Sequence, residues 1–435
     1  MNTLGACILL VLIVTVFIAP RRWALMGMVT GILYLTQAQR IDVIGFNFYA
    51  VRFIELAGFV RVMMRKEFAF SRLNRIDFIL VVLYICTVIV FVLRSNEDQA
   101  YVIGMAVDAL LSYFAFRGLI GNVEDFKWFM HAFIILLVPY VALVMIETLT
   151  SNNLFSYIGG VELIKAGDTW FRAGRLRATG SFGHPSLMGT MGGTFLPLYI
   201  GLWFTRKERR FASIGIGLCL AIVWASNSGG PATCVMVSIL GWSLWKLRAR
   251  MRWVRRCLAC CLVLLAIMMK APIWYLLARI GNVTGGDGWH RAAFLDVAFQ
   301  NLDKWWLAGM RALDTANWLP YTNYNTGAID MTNHFLVFGI TAGLGPMILM
   351  VVLLTQGFKH IGKALAVSRS LNTYDGKELE YLYWGFGVML LVHLCNWFGI
   401  TYWDQSNLLW FMHLAVISSL TEKILKSETV NTSDP

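Results

Sequence analysis

Long apolar stretches alternate along the chain with short polar segments that carry most of its charge. Crossing a hydrocarbon core by helix takes about 20 mostly apolar residues. Stretches that answer to this lie near 3–19, 22–38, 44–62, 76–93, 100–116, 128–149, 185–204, 211–226, 231–245, 257–275, 333–357, 381–399 and 406–421. The pattern predicts thirteen spans, or twelve if the first two, parted only by Pro20-Arg21-Arg22, count as one. Two polar segments are too long to be simple turns, and they divide the chain. An N-terminal bundle (1–149) precedes a first loop (150–183), central helices (184–275), a large second loop (276–332), C-terminal helices (333–426) and a short polar tail (427–435).

Composition agrees. The 435 residues are 58% hydrophobic and only 14% charged, with a mean hydropathy of +0.62, values that a soluble globule of this size does not need. The expected class is an all-α integral membrane protein embedded in a lipid bilayer. A net charge of +12 does not point to nucleic acid, because Lys and Arg collect in short loops beside the spans. These are Arg61 to Arg75, Arg206 to Arg210, Lys246 to Arg256 and Lys359 to Lys377. The positive-inside rule makes them cytoplasmic, along with the C-terminus, and puts both long loops on the opposite side.

All eight cysteines lie in apolar stretches, so they read as small hydrophobes and not as a disulfide framework. Cys257 and Cys260 have the spacing of a metal half-site but no His or carboxylate nearby to complete one. Residues 1–20 lack a basic leader and a small-x-small cleavage pattern, and they read as a retained span. Ionisable residues within spans are few, chiefly Glu55, Asp108 and Glu147, with Arg52 and Arg117 as possible partners.

The long loops break the charge rule, since they hold basic residues on the wrong side. The first carries Lys165, Arg172, Arg175 and Arg177, and the second carries Arg279, Arg291, Lys304 and Arg311. Either these pair with the scattered loop carboxylates, Asp287 and Asp330 among them, or an anion is expected there. The first loop ends in Arg172-Ala-Gly-Arg175-Leu-Arg177-Ala-Thr-Gly180-Ser181-Phe-Gly-His184-Pro185. Its glycines allow close backbone approach, and Pro185 suits the first turn of a helix. Free N–H groups of that helix, beside arginines able to grip phosphate oxygens, would form a pyrophosphate cradle. His184 is either the cap of that helix or a catalytic group, with capping the commoner use.

In the second loop, Gly288 to Phe299 has the apolar spacing of an amphipathic helix with Arg291 on its polar face, lying on the membrane surface or over the site. Trp305, Trp306, Trp318, Tyr321 and Tyr324 follow as interfacial anchors or sugar-stacking groups. The loop closes in Asn333-His334, directly before an apolar stretch. That position makes His334 the foremost catalytic candidate.

A set of ordered motifs resembles the O-antigen ligase and polymerase superfamily. They are Arg177-Ala-Thr-Gly-Ser-Phe-Gly-His-Pro185, Ser226-Asn-Ser228-Gly-Gly before a helix, Trp289-His-Arg291 followed by Trp306-Leu-Ala-Gly309, Asn333-His334-Phe-Leu336, and Gly339 to Gly345. The likeness covers roughly residues 140 to 350. It implies a GT-C-like fold of about twelve to thirteen spans in a bacterial inner membrane, with periplasmic active loops. It implies a polyprenyl-pyrophosphate-linked saccharide donor and a saccharide or lipid-linked acceptor, with polysaccharide chain-length or export proteins as partners. Arg177 (or Arg175 or Arg172 in a shifted register) and Arg291 would hold the pyrophosphate, with His334 at the reaction centre. Around them, Arg172, Arg175, Gly180, Ser181, His184, Asn333 and Arg311 are the candidate substrate contacts. The chain departs from the family pattern at His184-Pro185-Ser186, where many relatives have Asn-Pro-Asn, and at Gly229-Gly230, where an Arg is usual. Ligase and polymerase both remain open.

The chemistry fits. Arginines and a helix terminus stabilise a departing pyrophosphate, and a neutral His activates an acceptor hydroxyl near pH 7. With no Asp-x-Asp pair in the chain, neither a metal nor another cofactor is required. The expected reaction is attack on the anomeric carbon with His334 as base and inversion of the linkage. Two other classes stay in play: a transporter or flippase of lipid-linked or anionic substrates, and a non-catalytic subunit of an export assembly.

Overall fold

The computed structural model describes residues 1–36, 39–43, 46–71, 73–94, 99–159, 171–284, 286–320, 327–371 and 373–431. Part of the first loop (160–170), with Lys165, and Tyr321 and Tyr324 of the second lie outside the described residues. The chain opens with α1 (Thr3–Ile18), α2 (Arg21–Tyr34), the hairpin β1 (Arg40–Val43) and β2 (Phe46–Tyr49), then α3 (Ala50–Met64), α4 (Arg75–Arg94), α5 (Gln99–Leu119) and α6 (Val123–Thr150). A second hairpin, β3 (Phe171–Arg172) and β4 (Arg175–Leu176), leads to α7 (Pro185–Trp203), α8 (Arg209–Ser226), α9 (Gly229–Ser243) and α10 (Met251–Met268). The second loop contains α11 (Leu276–Thr284), α12 (Gly288–Gln300) and α13 (Leu302–Trp305), followed by α14 (His334–Ala342), α15 (Leu344–Ser370), α16 (Tyr374–Asn396) and α17 (Asp404–Asn431).

Every predicted apolar stretch is largely helical, but fewer than thirteen meet the standard of an independent span. Among the described residues six are long and apolar enough: α4, α5, α6, α8, α15 and Gln405–Lys426 of α17. A seventh arises if Gly229–Met268 and Ile273–Val283, bent by 99°, are counted together. The protein is thus an all-helical, multi-pass membrane protein. The shortfall has a physical cause. Helix α7 is buried along nearly its whole length, so it contacts protein instead of lipid and carries Gly and Thr where a lipid-facing helix would carry Leu or Val. Gly192 lies against the Cys219 carbonyl and Gly193 against the Cys234 side chain, too close for a Cβ (2.7 and 2.5 Å), which lets α8 and α9 approach α7. Helix α10 is the opposite case, apolar and without a single buried residue.

Two predicted spans change form. Within the 44–62 stretch, Phe46–Tyr49 is a strand and the helix starts only at Ala50. The 333–357 stretch is broken at Gly343, whose φ of 87° ends α14 after nine residues before α15 resumes. Backbone groups freed by the break find partners in the second loop: the Leu344 amide donates to Trp306 O (2.8 Å) and the Met310 amide to Ile340 O (2.7 Å). Trp305 is fully buried and donates to Ala298 O at 2.8 Å. It is therefore a core residue of a small second cluster with Phe294, Leu295 and Ile340, not an interfacial anchor.

The end of the bundle away from the long loops is stitched by ion pairs. Arg22 meets Asp125 (2.7 Å), Arg61 meets Glu67 (3.0 Å), and Glu380 is shared by Arg248 (3.2 Å) and Arg369 (2.7 Å). Within the core, the fully buried Asp77 accepts from Tyr113 (2.5 Å), Arg117 (3.2 Å) and Ser418 (3.0 Å), while Arg117 also pairs with Glu422. This knot ties α4 and α5 to α17. Removing one partner of a buried pair strands the other charge at a cost of about 3 kcal/mol or more. Asp77→Ala is accordingly expected to lower the thermal unfolding midpoint in detergent, and a midpoint unchanged from wild type would contradict this role.

Candidate functional site

Helices α7, α9 and α14 all begin at the loop end of the bundle, and the first loop is bolted between them. The Glu147 carboxylate, at the end of α6, accepts the Thr179 amide (2.9 Å), the Thr179 hydroxyl (3.1 Å) and the Gly180 amide (2.8 Å). Gly180 needs its positive φ of 58° and has the Tyr140 hydroxyl 2.5 Å from where a Cβ would sit. Ser181 is fully buried, bonded to Leu33 O and, through its carbonyl, to Gln405. Gly180 and Ser181 therefore hold the loop and do not line the crevice, a correction to the sequence expectation. Glu147 is a loop clamp for the same reason, not a free in-span carboxylate.

Ahead of this anchor, β3 and β4 pair with Ala173 (φ 51°) and Gly174 (φ 73°) at the turn, the backbone that a two-residue mirror-image hairpin turn requires. Asn227, itself left-handed (φ 44°) at the end of α8, donates to the carbonyls of Arg172 (2.7 Å) and Arg175 (3.2 Å) and fixes the hairpin to the α8–α9 turn. Arg172 and Arg175 sit directly opposite each other in this register. Like charges so placed repel, which favours an anion between or beside them. Arg175 also stacks over Trp224, with its guanidinium 4.0 Å from the ring centroid.

Arg177 is buried and donates to Ser228 (3.0 Å) and Ser186 (3.4 Å), the residues at the starts of α9 and α7. Arg291, on the first turn of α12, lies against Gly399 and Gly286, which leave room for its guanidinium. Burial pulls Arg177 down to about 10, with Arg172 and Arg291 adding to the shift. Burial also lowers Arg291, opposed by Asp287 and Asp330 and reinforced by Arg172. These three arginines thus lie close enough to feel one another's charge. No ion pair of Arg172 or Arg291 occurs among the described residues, unlike the paired arginines at the other end. Arg311 is set apart, exposed and joined to Asp314 at 2.8 Å. It belongs to a surface pair and not to the site.

Three helix termini face this charge in different states. His184 caps α7, its Nδ1 accepting the Ser186 amide at 3.1 Å. Asn333 caps α14, its side chain accepting the Phe335 and Leu336 amides at 3.0 and 3.1 Å; it is buried and acts as a cap, not as a substrate contact. Helix α9 has no side-chain cap, because the Ser228 hydroxyl is turned to Ser226 O (2.8 Å) and to Arg177. Its first residues are Gly229 and Gly230, and a Cβ on Gly230 would meet only Asn396 within van der Waals range, at 3.2 Å. The terminus without a side-chain cap, expected at α7, is therefore at α9, whose first residues are buried.

His334 stands beside this cluster. Its amide donates to Trp397 O (2.9 Å), and its Nδ1 accepts the Tyr402 amide (3.3 Å). The intervening turn carries Gly399, which packs on Arg291, so residues 397–402 join the histidine to the arginines. With Nδ1 accepting, a neutral ring carries its proton on Nε2 and presents a donor. Behind it, Tyr402 reaches His393 (2.9 Å), which reaches His413 (2.9 Å), and Asn396 links Tyr402 (3.3 Å) to Thr190 on α7 (3.0 Å). Nothing in the spacing of these residues announced that buried chain. Among the described residues no group of three or more His, Cys, Asp or Glu is arranged to hold a metal ion.

Fold and site together define a multi-pass, all-helical membrane protein with a cluster of arginines beside its long loops. No protein-family model matches the chain, and no curated protein does so either.

An anion should stabilise this crevice. Inorganic pyrophosphate is expected to raise the unfolding midpoint of the wild type and of Arg311→Ala, but not of Arg291→Ala or Arg177→Ala; an equal shift in all four would locate the binding elsewhere. His184, lowered from 6.5 to about 3 by burial and by Arg177, Arg172 and Arg291, favours folding in its neutral form. Its contribution is complete above pH 6.5 and declines as pH falls toward 3. His184→Asn keeps a cap without the titration, so its unfolding midpoint is expected to fall less between pH 7 and pH 4.5 than that of the wild type.

Proposed function

We propose that the protein is a membrane glycosyltransferase that transfers or polymerises saccharide units from a polyprenyl-pyrophosphate donor, in the manner of the O-antigen ligases and polymerases. The observation that carries this reading is the group of arginines, Arg172, Arg177 and Arg291, which feel one another's charge beside the uncapped start of α9, with no ion pair to Arg172 or Arg291 among the described residues. Such a group matches a pyrophosphate, whose charge grows as the glycosyl bond breaks. In this reading the fold is GT-C-like, the crevice faces the periplasm of a bacterial inner membrane, and the basic loops at the far end face the cytoplasm. The donor's isoprenoid chain stays in the bilayer while its headgroup enters beneath α12. Chain-length or export proteins are the expected partners.

His334 takes a different part from the one its sequence position suggested. As an Nε2 donor it hydrogen-bonds an oxygen of the reacting centre, such as the leaving pyrophosphate, in place of accepting a proton. The transport alternative draws on ionisable residues within the spans. Arg52 and Asp108, however, are paired at 2.7 Å, and Glu147 is committed to the first loop.

The test uses wild-type and variant protein in matched proteoliposomes with a polyprenyl-pyrophosphate-linked oligosaccharide, following sugar transfer and release of the lipid pyrophosphate. Wild type is expected to transfer sugar. Arg177→Ala and Arg291→Ala should each weaken donor affinity on the order of tenfold to a hundredfold, as loss of a charge-assisted hydrogen bond does. His334→Ala should abolish transfer with donor binding kept, while His334→Gln, which retains a donor, recovers part of it. Movement of the lipid across the bilayer without transfer would favour the flippase.

A further inference from the structure

We propose that Asp330 is the general base that accepts the acceptor hydroxyl proton, an assignment that rests on the glycosyl transfer proposed above. The donor state of His334 leaves that role unfilled, and the other titratable groups facing the crevice are committed. His184 has its Nδ1 on the Ser186 amide and is surrounded by arginines. His290 donates from Nε2 to the Asp330 carbonyl (3.1 Å), and Asp287 accepts the His290 amide (3.1 Å) as the cap of α12.

Asp330 differs from all of these. Its side chain makes no hydrogen bond or ion pair among the described residues, and it is open to solvent though walled by protein, as a crevice residue is. Its backbone is pinned on both sides. The Ile329 amide donates to Thr315 (3.2 Å), Met331 O accepts from Thr401 (2.5 Å), and Asp330 O takes the His290 bond. The carboxylate is therefore presented from a rigid frame four residues before His334 and next to His290 and Arg291. Burial raises its proton affinity above the usual carboxylate range, opposed by His290 and Arg291 and assisted by Asp287. A base so tuned is better matched to a hydroxyl proton than an ordinary carboxylate.

The step balances without a further reactant. The acceptor O–H proton passes to an Asp330 carboxylate oxygen as the hydroxyl oxygen bonds to the anomeric carbon. The bond from that carbon to the pyrophosphate oxygen breaks, and its electron pair leaves with the polyprenyl pyrophosphate, which Arg177, Arg172 and Arg291 hold. Asp330 then returns its proton to solvent.

The experiment compares wild type, Asp330→Asn, Asp330→Ala and Asp330→Glu in proteoliposomes, using the polyprenyl-pyrophosphate-linked oligosaccharide and a range of pH. In Asp330→Asn the transfer rate at saturating donor should fall on the order of 10²- to 10⁴-fold, with the donor KM within about threefold of wild type. Added formate should restore part of the rate to Asp330→Ala, and Asp330→Glu should retain part of it with a displaced acid limb. Wild-type kcat in Asp330→Asn overturns the assignment and leaves the transferase reading standing. A loss seen only as weaker donor binding overturns it too, since Asp330 would then merely place Arg291. Absence of transfer by wild type overturns both.

Discussion

Positive charge gathered from two distant loops, with no ion pair to Arg172 or Arg291 among the described residues, is the constraint around which this end of the molecule is organised. Arg172, Arg177 and Arg291 come from two loops far apart in sequence, and each lowers the proton affinity of His184. Left to themselves the arginines would separate or recruit carboxylates. They are kept together by contacts that do not pair with their charge: Asn227 on the hairpin carbonyls, the Glu147 carboxylate on the Thr179 and Gly180 amides, Ser228 and Ser186 on Arg177, and small glycines at 286 and 399 beside Arg291. Repulsion of this kind is relieved when an anion binds among the arginines, which is why the proposed reading places the donor's pyrophosphate there.

The two ends of the bundle use one residue type in opposite ways. Away from the site, Arg22, Arg61, Arg117, Arg248 and Arg369 each meet a carboxylate and fasten helices together. At the site, most carboxylates are spent on backbone amides, as with Glu147 and Asp287, or stand apart, as Asp330 does. A lipid environment sharpens this division, because every backbone group near the break at Gly343 must be satisfied internally. The 305–310 segment of the second loop does this, so the half-helix that presents His334 is positioned by the same loop that presents Arg291. The buried run from Tyr402 through His393 to His413 adds a second tie behind the histidine.

Much of this was legible in the residues. Hydrophobic length located the helices because a membrane solvent rewards apolar side chains whatever their partners. The residues left Arg52 and Arg117 alike as partners for Glu55 and Asp108, and the structure pairs Arg52 with Asp108. Arg177, Arg291 and His334 stood out as charge or imidazole in the wrong place for a membrane loop, and the structure brings all three to one end. Other assignments failed because their roles depend on neighbours. Gly180, Ser181 and Asn333 are polar or flexible enough to touch a ligand, yet their hydrogen bonds go to the protein. Arg311 read as a substrate contact, yet the structure pairs it with Asp314 three residues on. Trp305 read as interfacial because an isolated tryptophan pattern cannot tell a bilayer surface from a small buried core.

The sequence by itself determined what periodicity and composition can carry: an all-helical membrane protein, two long loops of unusual basicity, and a short set of residues with the chemistry to bind an anion. Hydropathy is a local quantity, and a run of apolar side chains has nearly the same consequence in any context. The tertiary structure alone decided which helix terminus lacks a side-chain cap, which nitrogen of His334 takes the Tyr402 amide, where the helix after Asn333 breaks and which carboxylate makes no hydrogen bond or ion pair among the described residues. Each of those is set by an atom from a distant part of the chain, and hydrogen bonds depend on direction and distance that no single segment contains.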